Sequence, residues 1–169
     1  MTSAELLNDA FGRIRALVHR VVDGLTPEQL SYRIEAETNS IAWLAWHLTR
    51  IQDDHVADVA ETEQIWTAKG WKDRFGLPFD VSATGFGHSS DEVAAVRVES
   101  GELLTGYHDA VYQRTLDYVK PLTDEDLARI VDESYDPPVS LGVRLVSVIS
   151  DNLQHAGQAA FVRGIIGRR

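Results

Sequence analysis

Apolar residues recur at helical spacing along the first part of the chain. They stand three or four residues apart, or side by side, at Leu6, Leu7, Ala10, Phe11, Ile14, Leu17, Val18 and Val21. This spacing puts their side chains on one face of an α-helix. Thr2 and Glu5 have the spacing of a capping box at its start, and Gly24 follows as a stop signal. The pattern predicts a first long helix between about residues 2 and 24.

The same spacing recurs in two later segments. A second helix is predicted from residue 39 or 40 to about residue 60, with an inner side formed by Ile41, Leu44, His47, Leu48, Ile51, Val56 and Val59. The last helix is predicted from its cap, Ser140, to about residue 165. Two short segments, "LTPEQL" and "LTDEDL", each follow a long helix and share similar capping chemistry.

From residue 61 to about residue 90 the helical pattern dissolves. This segment contains four glycines, Pro78, two tryptophans and three phenylalanines, which makes it too aromatic for a disordered linker. A connection of this length in a compact domain usually packs over another part of the domain and covers it. A third long helix is predicted to begin in the 90s and to end near residue 119, before Pro121.

No stretch of the chain alternates apolar and polar residues for long enough to predict a strand. The expected fold is therefore all-α. We predict a single domain over residues 1–169, built as a four-helix bundle with a long crossover connection between helices two and three.

Composition narrows the chemistry more than it narrows the fold. Apolar residues make up 44% of the chain and charged residues 25%, which is ordinary for a globular protein. There is no cysteine, so a disulfide and a thiolate metal site are both excluded. Any nucleophilic thiol must then come from a substrate.

Charge and hydropathy argue against two other classes of partner. The net charge is −10 and no basic stripe is present, so nucleic acid is not expected to bind. No stretch approaches the roughly 18 apolar residues that span a bilayer, so no membrane partner is expected. The first residues lack the basic start and apolar run of a secretory signal, which makes the cytoplasm the expected location.

Two of the six histidines lie among apolar residues. An ionisable side chain is unfavourable in such surroundings, so its presence there suggests a specific role. His47 lies in "WLAWHLTR", and His155 lies in "SDNLQHAGQAAF" with Asp151 one turn earlier. Residues four apart lie side by side on a helix. If this pair faces His47 on a neighbouring helix, the three side chains can supply three ligands to one divalent ion and leave a position open.

These residues also have an ordinary structural interpretation. A histidine in a helix is most often a core or surface residue, and Asp and His four apart form a common helical pair. Among the neighbours, Asp54 is the candidate to support the second-helix histidine, and His55 is expected to be solvated. His19, His88 and His108 are expected at the surface or in loops.

The segments "IAWLAWHLTR" and "SDNLQHAGQAAFVRGII" resemble the DinB/YfiT-like superfamily of metal-binding four-helix bundles. In that superfamily the metal is held by a histidine of the second helix and by two ligands, spaced four apart, on the last helix. The resemblance implies metal ligands at His47, Asp151 and His155, with Asp151 at a position that is often His or Glu in relatives. The chain looks closest to the branch of mycothiol S-transferases and mycothiol-dependent maleylpyruvate isomerase.

This resemblance implies a function. A divalent metal ion, with zinc expected, would activate the thiol of mycothiol for attack on a small electrophile in detoxification. Arg50 and Arg163, near the ligands in sequence, are candidates to hold a carboxylate of the cofactor, or else each is an ordinary surface charge. Trp66 and Trp71, with two phenylalanines of the crossover, are candidates for an apolar wall of the site, or else they plug the end of the bundle.

Two other functions stay open at this point. Water in place of the thiol would give a metal-dependent hydrolase on the same site. Alternatively, the bundle is not catalytic: it binds a metal or a small ligand, or forms a homodimer through an exposed helix face.

Overall fold

Four long helices form the predicted bundle. In a computed structural model that describes residues 1–168, they are α1 (Ser3–Val22), α3 (Ile41–Val59), α7 (Gly101–Val119) and α9 (Leu141–Ile166). The short elements within those residues are α2 (Pro27–Leu30), α4 (Ile65–Ala68), α5 (Trp71–Phe75), α6 (Ser90–Ala95), α8 (Asp124–Ala128), β1 (Ile130–Asp132) and β2 (Val139–Ser140). The all-α prediction is confirmed.

Side-chain caps fix where the helices begin. The hydroxyl of Thr2 accepts from the backbone N–H of Glu5, whose carboxylate accepts from the N–H of Thr2, which closes the predicted capping box. Ser40 and Ser140 cap α3 and α9, each accepting from the N–H three residues further on. The segments "LTPEQL" and "LTDEDL" also close capping boxes, at the starts of α2 and α8. These caps satisfy N–H groups that the start of a helix leaves without a partner.

Hydrogen bonds between helices define the direction of each one. Arg163, near the C-terminal end of α9, donates to the carbonyl of Val21 near the C-terminal end of α1, so these two helices are parallel. Tyr118 of α7 donates to the carbonyl of Val59 at the end of α3, so α3 and α7 are also parallel. The crossover between α3 and α7 must therefore return along the length of the bundle.

The pair formed by α3 and α9 is antiparallel. His55, late in α3, lies 3.0 Å from Arg144, early in α9. Further along, the Gln52 side chain accepts from the Asn152 side chain at 2.7 Å. The first half of α3 is thereby set against the second half of α9, and this is where the candidate ligands lie.

Two apolar clusters fill the bundle, one toward each end, and their largest fully buried members are Phe11, Ile14, Leu30, Ile41, Leu44, Trp46, Leu48, Leu104, Tyr107, Leu141 and Leu145. Buried polar side chains lie between the clusters along the helices. Among them, Gln52 donates to Thr115 at 2.8 Å and accepts from Asn152, which links α3, α7 and α9 through one hydrogen-bonded chain. A buried chain of this kind fixes the register of the helices, because any slip would leave polar groups without partners.

The structure corrects two details of the predicted secondary structure. The strands β1 and β2 pair antiparallel in a segment where the sequence analysis predicts only a loop, since neither strand is long enough to show alternation. The third long helix begins later than predicted, at Gly101. The residues before it form the separate helix α6 and then an extended stretch, in which Val96 and Val98 are buried.

A third correction concerns His108, which the sequence analysis assigns to the surface or a loop and the structure buries in α7. The hydroxyl of Thr49 donates to the carbonyl of Ala45 at 2.7 Å, so it accepts from Nδ1 of His108 at 3.0 Å. Nε2 of His108 has no hydrogen-bond partner among the described residues. Burial lowers the pKa of His108 to about 4, so the ring is neutral near pH 7.

We expect acid to weaken the fold through His108. Its pKa is about 4 in the folded protein and 6.5 for an ordinary histidine, so the unfolded chain takes up a proton first as the pH falls. The stabilising contribution of the neutral ring is complete above pH 6.5 and is lost as the pH falls towards about 4. Between about pH 7.5 and about pH 4.5, this group should remove roughly 2 to 3 kcal/mol from the free energy of unfolding.

Urea denaturation of the wild type and His108→Gln at the two pH values measures this effect. Glutamine keeps an N–H donor for Thr49 but does not titrate. The variant should therefore lose correspondingly less stability than the wild type on acidification. Equal losses in the two proteins would contradict a neutral, buried His108.

Candidate metal centre

His47 of α3 meets Asp151 and His155 of α9 where the two helices pack together. One ligand atom from each residue lies within 4.8 Å of the other two. The rings of His47 and His155 are 4.6 Å apart between centroids. Asp151 and His155 share a face of α9 because four residues make about one helical turn. The structure thus brings together the three residues that the sequence analysis selects.

Backbone carbonyl groups orient both imidazole rings. The carbonyl of Thr84, in the crossover, lies 2.6 Å from Nδ1 of His47, and the carbonyl of Asp151 lies 2.8 Å from Nδ1 of His155. A carbonyl oxygen only accepts, so each Nδ1 carries a proton and each Nε2 keeps its lone pair in the neutral ring. A hydrogen bond that fixes the tautomer in this way commonly supports a metal-binding histidine.

The crossover closes over the His47 side of the cluster. The ring of Trp43 stacks on that of His47 with centroids 4.5 Å apart, and its Nε1–H donates to Nδ1 of His88 at 3.2 Å. The backbone passes so close at Gly85 that a Cβ there would lie 2.8 Å from Nδ1 of His47. Gly85 also has a φ of +95°, which glycine adopts without strain. Together these contacts hold His47 in one orientation.

The two histidines have opposite pKa shifts. Burial lowers the pKa of His47, and this outweighs the hydrogen bond to Thr84 and the nearby Asp151 carboxylate, which act to raise it. Burial also acts to lower the pKa of His155, but the hydrogen bonds and the charge of Asp151 outweigh burial and raise the pKa. A metal ion competes with a proton for His155, so metal affinity should fall as the pH falls.

Asp151 provides the observation that favours a cation at this place. Its Oδ2 atom is buried and makes no hydrogen bond within residues 1–168, although it lies 3.3 Å from Nδ1 of His155. A divalent cation would stabilise this carboxylate more strongly than the His155 ring does, because it carries a larger charge. Two imidazole Nε2 atoms and one carboxylate are also a ligand set that suits a divalent ion such as zinc. The residues therefore fit the metal that the resemblance implies.

Comparison with known protein families agrees with this geometry. A family model described as mycothiol S-transferase matches residues 6–167. The chain belongs to the mycothiol S-transferase family. No curated protein matches the chain.

A crystal structure of a conserved protein from Enterococcus faecalis has the same fold as this member of the mycothiol S-transferase family. The two chains superpose with a TM-score of 0.93 and are 26% identical. The alignment covers 100% of this chain and 99% of the other. The family match and this fold confirm the resemblance that the two helical motifs carry.

Arg50 and Trp66 lie in the core of this mycothiol S-transferase family member. The Arg50 side chain is 0% exposed, donates to the Gln64 side chain at 2.7 Å and to the carbonyl of Ala83 at 3.1 Å, and lies over the Trp66 ring. Trp66 is itself 3% exposed. These contacts attach the crossover to α3 and leave no open face of Arg50 for a cofactor carboxylate. Burial gives both residues a structural role in place of the cofactor-binding role that the sequence analysis assigns.

Trp71 and Arg163 are only partly buried. The ring of Trp71 packs against Tyr107 and against Gly106, where an added Cβ would lie 2.9 Å from the ring. Arg163 donates to the carbonyl of Val21 at 3.1 Å, at the end of α1. Their roles toward a cofactor stay predictions.

Two neighbours of His47 lie in other surroundings than the sequence analysis expects. The carboxylate of Asp54 accepts from the side chain of Gln64 at 2.7 Å. His55 is half-buried, and its Nδ1 lies 3.0 Å from Arg144. Thr84, through its carbonyl, takes the supporting position that the sequence analysis gives to Asp54.

Three residues of the crossover shape the site but could not be placed there from the sequence: Thr84, Gly85 and His88. Their segment, "ATGFGHSS", contains two glycines close to a histidine, which indicates a tight loop but not the surface on which it lies. In the structure the His88 ring lies 4.6 Å from that of Phe79, and the loop packs on His47. Only the folded structure shows that the surface on which this loop packs is His47.

Proposed function

We propose that this protein is a metal-dependent S-transferase that joins the thiol of mycothiol to a small electrophile. One observation carries the proposal. One ligand atom from each of His47, Asp151 and His155 lies within 4.8 Å of the other two, in a chain of the mycothiol S-transferase family. Zinc is the metal that we expect, because imidazole and carboxylate ligands with an open position are typical of its catalytic sites.

Each residue around the proposed metal ion has its own role. A divalent ion held by His47, Asp151 and His155 would lower the pKa of a thiol at the open position. Asp151 contributes one negative charge, so the site keeps a net positive charge of about one when the ion is divalent. The carbonyls of Thr84 and Asp151 hold the two rings through Nδ1, which leaves Nε2 of each ring free to bind the ion. Trp43 and the crossover keep water from one side of His47.

The absence of cysteine supports an external thiol as the nucleophile. The chain has no sulfhydryl group of its own that could attack the electrophile or compete for the metal. In the proposed reaction, the thiol of mycothiol loses its proton to solvent, its sulfur forms a bond to carbon of the electrophile, and the bond from that carbon to the leaving group breaks, so that the leaving group departs with the electron pair. Detoxification of small electrophiles is the role that fits this reaction.

The proposal is tested by incubating zinc-loaded protein and a chromogenic electrophile with and without mycothiol. We expect product only in the presence of the thiol. Turnover without thiol would favour a hydrolase that uses water, and no turnover in either arm would favour a bundle that is not catalytic. A parallel preparation of His155→Ala controls for contaminating enzymes.

Removal of the metal should abolish transfer but leave the fold intact. Apolar clusters lie toward both ends of the bundle and do not depend on the three ligands. After treatment with a chelator, we expect loss of turnover, nearly unchanged helical circular dichroism, and recovery of turnover on addition of zinc. Loss of most of the helical signal would instead identify the ion as structural.

A further inference from the structure

The buried side chain of Arg50 holds the part of the crossover that contacts His47. Arg50 follows His47 by three residues in α3. Its Nε donates to the carbonyl of Ala83 at 3.1 Å, and its Nη2 donates to the carbonyl of Val81 at 3.4 Å. Thr84, whose carbonyl lies 2.6 Å from Nδ1 of His47, directly follows Ala83. The same short stretch of backbone is therefore bonded both to Arg50 and to a proposed metal ligand.

This stretch, residues 80–85, is called here the 80–85 loop. Within residues 1–168, its only hydrogen bonds to any helix are those from Arg50 and His47. Its other hydrogen bonds are local, from Ser82 and Ala83 to Asp80 and from His88 to Gly85. Without Arg50, the hydrogen bond from His47 itself would be the one that is left to hold the loop on α3.

Aromatic packing holds the chain on both sides of the 80–85 loop. The rings of Phe79 and His88 lie 5.9 Å and 5.7 Å from the ring of Trp46, measured between centroids. These contacts do not involve Arg50. A change at Arg50 should therefore shift the loop between two anchored ends, and it should not detach the whole crossover from the bundle.

The other contacts of Arg50 fix the position of its guanidinium. Nη1 donates to the side chain of Gln64 at 2.7 Å and to the hydroxyl of Tyr107 at 3.3 Å, and it lies 3.8 Å from the carboxylate of Asp53. A guanidinium carries five N–H groups in a rigid planar fork, so it can bond to the core on one side and to the loop on the other. A lysine ammonium lacks this fork.

We propose that Arg50 is a positioning residue for the metal centre and acts on His47 through the carbonyl of Thr84. This inference rests on the proposed metal site. The Thr84 carbonyl accepts the proton of Nδ1, so Nε2 keeps the lone pair that binds an ion. When the loop shifts, the neutral ring can carry its proton on Nε2 instead, and that atom cannot then bind the ion. Arg50 thus prepares the ring of His47 before an ion arrives.

Two substitutions at Arg50 and one matched control test this role. Arg50→Lys keeps a positive charge near Asp53 but loses the fork, and Arg50→Gln is measured beside it so that the result does not depend on one variant. We expect both to fold, because Asp53 keeps its hydrogen bonds from Tyr107 and from two backbone N–H groups. Tyr107→Phe is the control. It removes a hydroxyl from the same buried network and leaves the bonds from Arg50 to the loop in place.

Nitrogen NMR of the metal-free proteins at alkaline pH, where the rings are neutral, measures the tautomer of His47. Its signals are identified by their loss in His47→Gln. The wild type and Tyr107→Phe should carry the proton on Nδ1, and both Arg50 variants should show a mixture of the two tautomers. A wild-type tautomer in the Arg50 variants would overturn the proposal. Neither zinc nor mycothiol is needed, so this result does not depend on the proposed function.

Zinc affinity, measured by competition with a chromogenic chelator, is the second readout. We expect it to fall roughly tenfold in both Arg50 variants, as when the support of a metal-binding histidine is lost, and to stay within about twofold in Tyr107→Phe. Equal affinities in the Arg50 variants and the control would overturn the role of Arg50. A wild type that binds no zinc would instead contradict the proposed function, and the tautomer comparison would still decide the role of Arg50.

Discussion

Replacement of His155 by alanine is expected to lower kcat/KM for thiol transfer by at least about 100-fold. Loss of a supporting partner alone typically costs 10–100-fold, and this change removes a proposed ligand outright. The fold should survive, because the ring is only partly buried and its hydrogen bond is to Asp151, within the same helix. Kinetics at saturating zinc, with circular dichroism of the same preparation, measure both effects.

His19→Ala is the matched control for this substitution. His19 is also a half-buried histidine beside an aspartate, with Nε2 2.7 Å from the carboxylate of Asp109, but it lies outside the candidate metal centre. Its loss should leave the rate of transfer within about twofold, as expected for a surface ion pair that contributes about 0–1 kcal/mol. Equal activity of the two variants would remove His155 from the proposed site.

The substitution Gly85→Ala should disturb the site without changing any proposed ligand. The new Cβ would lie 2.8 Å from Nδ1 of His47 and 3.0 Å from the ring of Trp46, so the loop or the histidine must move. Either movement weakens the hydrogen bond from His47 to the carbonyl of Thr84. We expect zinc affinity to fall roughly 10–100-fold, as is typical when the support of a metal-binding histidine is lost.

Gly87→Ala separates this contact from backbone strain. Gly87 has a φ of +75°, and an added Cβ would meet no heavy atom within 4 Å. Both alanine variants carry the strain of a left-handed conformation, about 1 kcal/mol or more of stability. Only Gly85→Ala should also lose zinc affinity, measured by competition with a chromogenic chelator. If both variants bound zinc equally, the loop would not support His47.

The helices and the ligands could be predicted because their signals are local. Capping boxes and recurring apolar residues need only a few neighbours in sequence. The placement of Asp151 and His155 on one face follows from the helical turn. That His47 faces them requires only that two amphipathic helices pack with their apolar faces together, and the family resemblance indicates the same arrangement.

The crossover loop that covers His47 could not be placed from the sequence, because its contacts join segments that are distant in sequence and show no periodic pattern. The carbonyl of Thr84 supports His47 from 37 residues away in sequence. A glycine such as Gly85 shows that the chain turns there, but not what it touches. The burial of Arg50 could not be predicted for a similar reason: its carboxylate neighbour Asp53 lies 3.8 Å away in the same helix, but Gln64 and Ala83, which accept its hydrogen bonds, follow α3 in the crossover.

The burial of His108 did leave a signal in the sequence. It lies four residues after Leu104, three before Val111 and seven before Thr115, all of which are buried. Its position in the helical repeat therefore indicated the core. A histidine at such a position is also compatible with the surface, and only the folded structure shows that the hydroxyl of Thr49 accommodates the buried ring.

The most direct test of the proposed metal centre is a calorimetric titration of metal-free protein with zinc. The wild type is compared with the double variant His47→Ala/His155→Ala and with His19→Ala as the control. We predict one zinc ion per chain for the wild type and for the control, and no binding of comparable affinity for the double variant. Binding of one ion per chain by the double variant, with the affinity of the wild type, would contradict the assignment of these residues as the metal site.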